Sequence, residues 1–125
     1  MEQEFIPYEQ ALALKELGFD EPCFGYYISL GDNKENPFKL IEIQSEKGQF
    51  EWTDNVYYAP LYQQAFRWFR DKHELSSWVY NSYMDKYFYT ILQNGRIVKA
   101  NESVTTYEKA ELACLIKLIE IVKNK

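Results

Sequence analysis

The stretch PLYQQAFRWFR, residues 60–70 near the middle of the chain, carries the strongest helical pattern in the sequence. Its apolar side chains recur at the spacing of one helix face, and Pro60 suits a first helical position, where its missing N–H costs nothing. The pattern predicts a helix over residues 60–73 that packs on a core, with the small Ala65 close to a sheet. On the opposite side, Arg67 and Asp71 have the i,i+4 spacing of an ion pair.

The opening of this helix, Tyr-x-x-Ala, occurs three times, beginning at Tyr8, Tyr62 and Tyr107. Tyrosine and alanine three positions apart share a helix face, where alanine allows close approach to a sheet and tyrosine covers its edge. The repetition is compatible with two related units, 1–59 and 60–125, inside one domain of 125 residues. Because only two letters are constant, chance explains the echo equally well, and a duplication stays open.

Strand and turn patterns fill the first half of the chain. A helix is expected over residues 7–17, with Gly18 as its αL cap and Phe19 folded back on Leu14. Strands are expected at residues 24–30, 38–44 and 50–58, and the turn-rich segment 31–37 makes the first two a hairpin.

The second half repeats the strand pattern and ends in a helix. Strands are expected at residues 76–82, 86–93 and 96–100, with a tight hairpin at Asn94-Gly95. Thr105 is expected to cap the last helix, in a capping box with Glu108. The order α-βββ-α-βββ-α predicts an α+β fold in which antiparallel sheets carry packed helices.

The second strand set contains the candidate binding surface. A two-residue turn at Met84-Asp85 predicts that Tyr80 pairs with Tyr89, which places four aromatic side chains on one face: Trp78, Tyr80, Tyr87 and Tyr89. The opposite face then holds side chains suited to packing under helices: Val79, Phe88, Leu92 and Ile97. Because exposed tyrosines offer rigid contact area, the aromatic face is the predicted partner-binding surface. The alternative is that the first half of the chain covers it as a second core.

Composition predicts a folded, soluble, intracellular protein. The chain is 46% hydrophobic and contains 11 Tyr, 8 Phe and 3 Trp, far more aromatic surface than a disordered chain carries. No apolar run approaches the ~20 residues of a membrane span, and the start, MEQE, is acidic where a secretory signal is basic. Cys23 and Cys114 are too few for a disulfide framework and are expected to be reduced.

The net charge of −5 is unevenly distributed along the chain. Residues 1–59 hold 12 acids and 4 bases, residues 60–100 hold 3 and 6, and residues 101–125 hold 4 of each. An acidic chain is a poor generic binder of nucleic acid, because Lys and Arg contacts to phosphates supply most of that affinity. The basic central segment leaves one alternative, with five candidate nucleic-acid contacts: Arg67, Arg70, Lys72, Arg96 and Lys99.

No catalytic, cofactor-binding or metal-binding residues are predicted. The sequence has no Gly-rich phosphate loop, no GxSxG and no CxxC, and His73 is its only histidine. His73 is expected to cap the central helix at its C-terminal end, and Cys114 lies in the apolar stripe of the last helix. Nothing in the sequence marks a general base beside Cys23, so a nucleophilic role is not expected.

Two segments resemble a known group of proteins: APLYQQAFRWFR, residues 59–70, and TYEKAELACLIKLIEIV, residues 106–122. They are similar to small uncharacterised proteins of phages and mobile elements from gut Bacteroidales bacteria. The resemblance implies origin and compartment but no activity. Residues 60–123 also have the helix, three strands, helix order of double-stranded-RNA-binding domains, which place lysines at the start of their last helix. Here residues 106–111 contain one Lys and two Glu, so the lysine cluster that would bind phosphates is missing.

The expected function is therefore a non-enzymatic accessory protein of a phage or mobile element that binds a protein partner, from the host or a second copy of itself. A nucleic-acid-binding module is the alternative, and a small hydrolase or transferase ranks third.

Overall fold

The computed structural model describes residues 4–21, 23–29, 38–42, 56–82, 86–100 and 104–124. The described elements run in the order α1 Tyr8–Glu16, β1 Gly25–Ser29, β2 Phe38–Glu42, β3 Val56–Tyr58, α2 Tyr62–His73, β4 Leu75–Ser82, β5 Lys86–Gln93, β6 Arg96–Ala100 and α3 Tyr107–Lys123. This order confirms the predicted α+β fold. The chain divides into two compact units, Met1–Leu61 and Tyr62–Lys125.

The first helix ends as its sequence predicts. Gly18 has a φ of +97°, a left-handed conformation that glycine adopts without a steric penalty. The Phe19 N–H donates to the Leu14 carbonyl (2.9 Å) and the Gly18 N–H to the Lys15 carbonyl (3.1 Å), which is the hydrogen-bond pair of a Schellman motif. Phe19 and Leu14 are both buried, so the cap also joins the core of the first unit.

The first unit contains an antiparallel sheet in the order β2-β1-β3. Ser29 pairs with Phe38 and Gly25 with Glu42, which confirms the hairpin, while β3 adds its three residues to the other edge of β1. Residues 30–37 and 43–55, which include the predicted turns and most of the third predicted strand, lie outside the described residues. Tyr27 faces inward, where its hydroxyl donates to the Ile6 carbonyl at 2.7 Å.

The central helix begins two residues later than predicted. Pro60 is buried, and its carbonyl accepts from the Ile6 N–H at 3.0 Å, while Leu61 pairs with Phe5 as in an antiparallel ladder. Residues 60 and 61 therefore belong to the first unit as extended chain, and Tyr62 begins α2. The expected Arg67–Asp71 pair is replaced by a contact between neighbours, since Arg70 Nε lies 3.6 Å from an Asp71 carboxylate oxygen.

The second unit contains a sheet in the order β4-β5-β6, with α2 and α3 packed on it and on each other. Asn94 and Gly95 have φ values of +54° and +78° and connect the paired residues Gln93 and Arg96. Two positive φ values in a two-residue loop are those of a type I′ turn, so the predicted Asn-Gly hairpin is confirmed.

The last helix begins one residue later than predicted. Thr106, not Thr105, is the N-cap, and its hydroxyl accepts from the Lys109 N–H at 3.1 Å. The third helical position is therefore a lysine, so the expected capping box with Glu108 is absent. Thr105 instead accepts a hydrogen bond from the Lys109 ammonium at 3.3 Å.

The two sheets have different connectivity. The first strand of the first unit is the middle strand of its sheet, whereas the middle strand of the second sheet is the second one in sequence. A duplicated unit is expected to keep its strand order. The repeated Tyr-x-x-Ala therefore does not correspond to a repeated topology.

Candidate functional site

The side of the second sheet that faces the helices is closely packed. Leu75 and Ile91 are fully buried, and Tyr89 is only 5% exposed. α3 packs on β4 and β5, and α2 packs on β4. Because side chains alternate along a strand, Ser77 and Val79 lie on this same side.

The other side of this sheet, called the outer face below, is the candidate site. The strand register places Ser76 and Lys86 there together with six less polar side chains: Trp78, Tyr80, Phe88, Thr90, Leu92 and Ile97. Tyr80 pairs directly with Phe88, and Trp78 with Thr90. The Tyr80 and Phe88 rings stack, with centroids 5.5 Å apart and planes 17° from parallel.

Several of these large side chains are exposed. Ile97 is 69% exposed, Trp78 44% and Tyr80 40%, although a strand residue of this size is normally covered on a folded sheet. Thr90, at the centre of the face and opposite Trp78, is buried. The outer face therefore has a shielded centre surrounded by exposed aromatic and aliphatic groups, an arrangement typical of a contact surface.

The charged side chains on the three strands of this sheet have the same sign among the described residues. Among the described residues of its three strands, the charged side chains are Lys86, Arg96 and Lys99, all basic and all exposed. Lys86 lies on the outer face by its register, whereas Arg96 pairs with Gln93 and Lys99 with Ile91, which places both on the helix-facing side. A partner that covers the outer face therefore meets positive charge from Lys86.

The predicted grouping of four aromatic side chains is wrong by one residue of register. Tyr80 was expected opposite Tyr89, but Val79 occupies that position, because Ser82 pairs with Lys86 and three residues rather than two separate the paired ends. A one-residue slip moves one strand's side chains to the other face. Tyr89 and Tyr87 consequently share the helix-facing side with Val79, whereas Trp78 and Tyr80 lie on the outer face.

Tyr87 lies at the margin of the helix-facing side. Its ring meets Tyr107, the first residue of α3, edge-on at a centroid distance of 6.0 Å. Tyr87 pairs through its backbone with Val104, each N–H donating to the other carbonyl at 3.0 Å. The Tyr87 side chain is half-buried.

The five candidate nucleic-acid contacts are not collected into one groove. Arg67, Arg70 and Lys72 are exposed on α2, which packs on β4. Arg96 and Lys99 are exposed on β6, and β5 lies between β4 and β6. The start of α3 adds Glu108, an acidic group where a phosphate-binding helix carries lysines.

The buried Cys114 thiol is chemically quiet. Burial raises the pKa of Cys114 to about 12, an effect that the nearby Ser77 hydroxyl partly opposes. Among the described residues, that hydroxyl oxygen has no hydrogen-bond partner of good geometry. Burial, and after it the proximity of Cys114, also raises the pKa of Tyr89. A thiol with so high a pKa is almost entirely protonated near neutral pH and is a poor nucleophile.

Cys23 and His73 occupy structural positions. The buried Cys23 thiol donates to the Glu21 carbonyl at 3.2 Å. His73 is the last residue of α2, and its ring meets Trp68 at a centroid distance of 4.9 Å and Phe69 at 5.9 Å. These contacts favour a packing role for the histidine.

The described part of the chain contains no group of three or more His, Cys, Asp or Glu side chains placed to hold a metal ion. Within those same residues, no helix has both the length and the apolar character needed to cross a membrane.

No protein-family model matches the chain, and no curated protein or solved structure is significantly similar to it. The function must therefore be argued from the geometry of the outer face.

Sequence reasoning assigned Phe88, Leu92 and Ile97 of this face to the helix side, and it did not place Thr90 on either side. Their position depends on the strand register and hence on the length of the β4–β5 connection. Between residues 82 and 86 the sequence has no Asn-Gly or Asp-Gly pair to specify that length. The Asn94-Gly95 turn carries such a signal, and that hairpin was predicted correctly.

Proposed function

We propose that this chain is a non-enzymatic protein-binding module that uses the outer face of its second unit to contact a protein partner. The observation that carries the proposal is the exposure of Trp78 and Tyr80 on β4 and of Ile97 on β6, all on one face of the sheet. Aromatic side chains of this kind supply most of the binding energy in many interfaces.

Rigidity adds to the case. Tyr80 is held against Phe88 by ring stacking, and both residues belong to strands that pair over eight positions. A side chain that is already ordered loses little entropy on binding, so more of its contact energy contributes to affinity. The Tyr80 hydroxyl can also remain hydrated at the margin of an interface while its ring is covered.

The partner's surface is proposed to be apolar at its centre, with an acidic group opposite Lys86. This follows from the apolar outer face and from the exposed Lys86 on it, while Arg96 and Lys99 belong to the other side of β6. Charge at the margin of an interface mainly accelerates association and selects partners. The partner is further proposed to lie in the cytoplasm of a gut Bacteroidales host, which is what a resemblance of residues 59–70 and 106–122 to mobile-element proteins implies.

A nucleic-acid-binding role is the second candidate, favoured by the same three bases on strands without a described acid. Its weakness is the separation of the α2 bases from those on β6. Binding to phosphates falls steeply with salt, because each neutralised phosphate releases counterions. Strong, salt-dependent gel shifts with RNA or DNA favour this alternative over the protein-binding proposal.

Affinity capture from a bacterial host lysate tests the proposal if matched variants are included. Trp78→Ala removes an exposed outer-face side chain, and Ile116→Ala removes a side chain of the same exposure, 44%, on α3. A partner retained by the wild type and by Ile116→Ala but lost by Trp78→Ala supports the outer face. With the purified partner, Trp78→Ala is expected to weaken binding by about 1–3 kcal/mol. Equal retention by both variants contradicts the proposal.

A further inference from the structure

The two edges of the second sheet differ in the features that prevent a strand from pairing with another chain. β6 has five residues, two of them charged, and an extra residue: Ile91 pairs with Lys99 and Leu92 with Ile97, which leaves Val98 unmatched as a bulge. Short length, charge and bulges are the devices by which natural proteins protect sheet edges. β6 is therefore a protected edge.

β4 has none of these devices. Its eight residues, LSSWVYNS, include no charged side chain and no proline, and they pair with β5 without a register shift. Among the described residues, no strand pairs with the outer edge of β4. A long, regular and uncharged edge is a template for adding a further strand.

The hydrogen bonds around Tyr87 show which backbone groups of β4 point to this edge. Tyr87 exchanges both of its backbone hydrogen bonds with Val104, on the β6 side of β5. Because backbone groups alternate along an antiparallel strand, Phe88 and Thr90 direct theirs to β4, where their partners are Tyr80 and Trp78.

The residues between those partners have the opposite orientation. The N–H and C=O groups of Ser77, Val79 and Asn81 therefore point away from β5, toward the outer edge.

We propose that this edge pairs with β4 of a second copy of the same chain, antiparallel about a twofold axis. In such an interface residue i of one copy contacts residue j of the other and residue j contacts residue i, and only the residue on the axis faces its own counterpart. Because β4 has no charged side chain, no register of this kind brings like charges together. With Val79 on the twofold axis, Ser77 pairs with Asn81 of the second copy, Val79 with Val79, and Asn81 with Ser77. Each of these three pairs exchanges two backbone hydrogen bonds, which gives about six in total.

The same register brings the aromatic side chains of the two copies together. Trp78 then lies across from Tyr80 of the second copy, in the non-hydrogen-bonded position where side chains approach most closely. Both residues belong to the outer face, so pairing joins two outer faces into one six-stranded surface. The inference goes beyond the proposed function, since it concerns the strand edge and requires no host partner.

Sedimentation equilibrium of the wild type and two Asn81 variants tests the pairing. Asn81 is exposed, and Asn81→Pro deletes one edge N–H at a position where an edge strand tolerates proline. Asn81→Ala changes the same side chain but keeps the N–H. We expect a wild-type dimer, an unchanged dissociation constant for Asn81→Ala and a dissociation constant at least about tenfold larger for Asn81→Pro.

Hydrogen exchange of the wild-type protein tests the pairing without relying on any variant to fold. The amides of Ser77, Val79 and Asn81 are expected to exchange more slowly as the protein concentration rises. The amides of Trp78 and Tyr80, which bond to β5, are expected to be protected at all concentrations. A monomeric wild type, or concentration-independent exchange at the three edge amides, overturns the proposal. Dimers that persist equally in Asn81→Pro overturn it as well.

Discussion

At the residue scale, the Tyr-x-x-Ala echo marks the first turn of every described helix. Tyr8, Tyr62 and Tyr107 are the first residues of α1, α2 and α3, and the alanine three positions later is buried each time. Alanine has no side-chain atoms beyond Cβ and high helix propensity, so it allows a helix to approach its neighbour closely at the first turn. The recurrence has a local packing reason and needs no common ancestor.

The N-cap of α3 gives a prediction that distinguishes two adjacent threonines. Thr106→Ala is expected to lower the free energy of unfolding by about 1 kcal/mol, because the Lys109 N–H loses its acceptor. Thr105→Ala, the matched control, removes only an exposed bond to the Lys109 ammonium and is expected to cost less than about 0.5 kcal/mol. Urea denaturation of both variants measures the difference. Equal costs contradict the assigned cap.

The raised pKa of Cys114 predicts a loss of stability in alkali. An unfolded thiol releases its proton near pH 8.5, whereas the folded thiol keeps it to about pH 12. The contribution of Cys114 to the free energy of unfolding is therefore fully present below about pH 8.5. Between about pH 8.5 and pH 12 that contribution falls by up to about 1.4 kcal/mol per pH unit.

Denaturation of the wild type and Cys114→Ala from pH 8 to 11 measures this slope. The variant is less stable at neutral pH because it leaves a small cavity, but its stability is expected to fall less steeply with pH. Buried tyrosines with raised pKa values, such as Tyr89, contribute to the slope in both proteins. Identical slopes rule out a Cys114 contribution.

At the element scale, the packing of α2 depends on one small residue. Ala65 is fully buried in the helix, between the buried Tyr62 and Phe69. Because interiors are packed as densely as organic crystals, a fully buried alanine leaves little room for a larger side chain. The same helix exposes Gln63 on its opposite side.

Ala65→Leu is expected to destabilise the protein by about 1–3 kcal/mol, because three added carbon atoms force the helix away from the sheet. Gln63→Leu inserts a leucine into the same helix at an exposed position and is expected to change stability by less than about 0.5 kcal/mol. Thermal melts followed by circular dichroism compare the two variants. An unchanged midpoint for Ala65→Leu shows that the helix face is loosely packed.

At the scale of the whole molecule, the two sides of the sheet in the second unit differ in how much apolar surface they bury. The helix-facing side contains fully buried Leu75 and Ile91, while the outer face exposes Trp78 and Ile97. Large side chains on the first side contribute to the free energy of unfolding through burial. Those on the second remain partly hydrated in the folded state and contribute less.

Two tryptophan variants measure this asymmetry. Trp68, on α2, is buried, and Trp68→Ala is expected to cost about 3–5 kcal/mol through the cavity it leaves. Trp78→Ala on the outer face is expected to cost less than about 1.5 kcal/mol, although it removes the same number of atoms. Denaturant midpoints of the two variants measure the two losses of stability. Comparable losses show that the outer face is part of the core.

The sequence by itself determined the element order and the turns whose residues specify their own geometry. Gly18 and Asn94-Gly95 adopt the positive φ values that their chemistry favours, and the stripe of α2 predicted its buried Ala65. These signals are local, since each depends on residues within one or two turns of the chain. The same is true of the α+β class, which follows from the order of the elements.

Tertiary structure alone decided the strand register and therefore the site. The connection between Ser82 and Lys86 has no residue pair that imposes its length, so pairing across the whole of β4 and β5 selected the register. That selection put Tyr89 under α3 and Phe88 on the outer face. It likewise drew Pro60 and Leu61 into contacts with Ile6 and Phe5, more than fifty positions away along the chain, instead of the helix that their local pattern favoured. Burial of an apolar side chain contributes more than a helix-start preference of a few tenths of a kcal/mol, so long-range packing prevailed wherever the two disagreed.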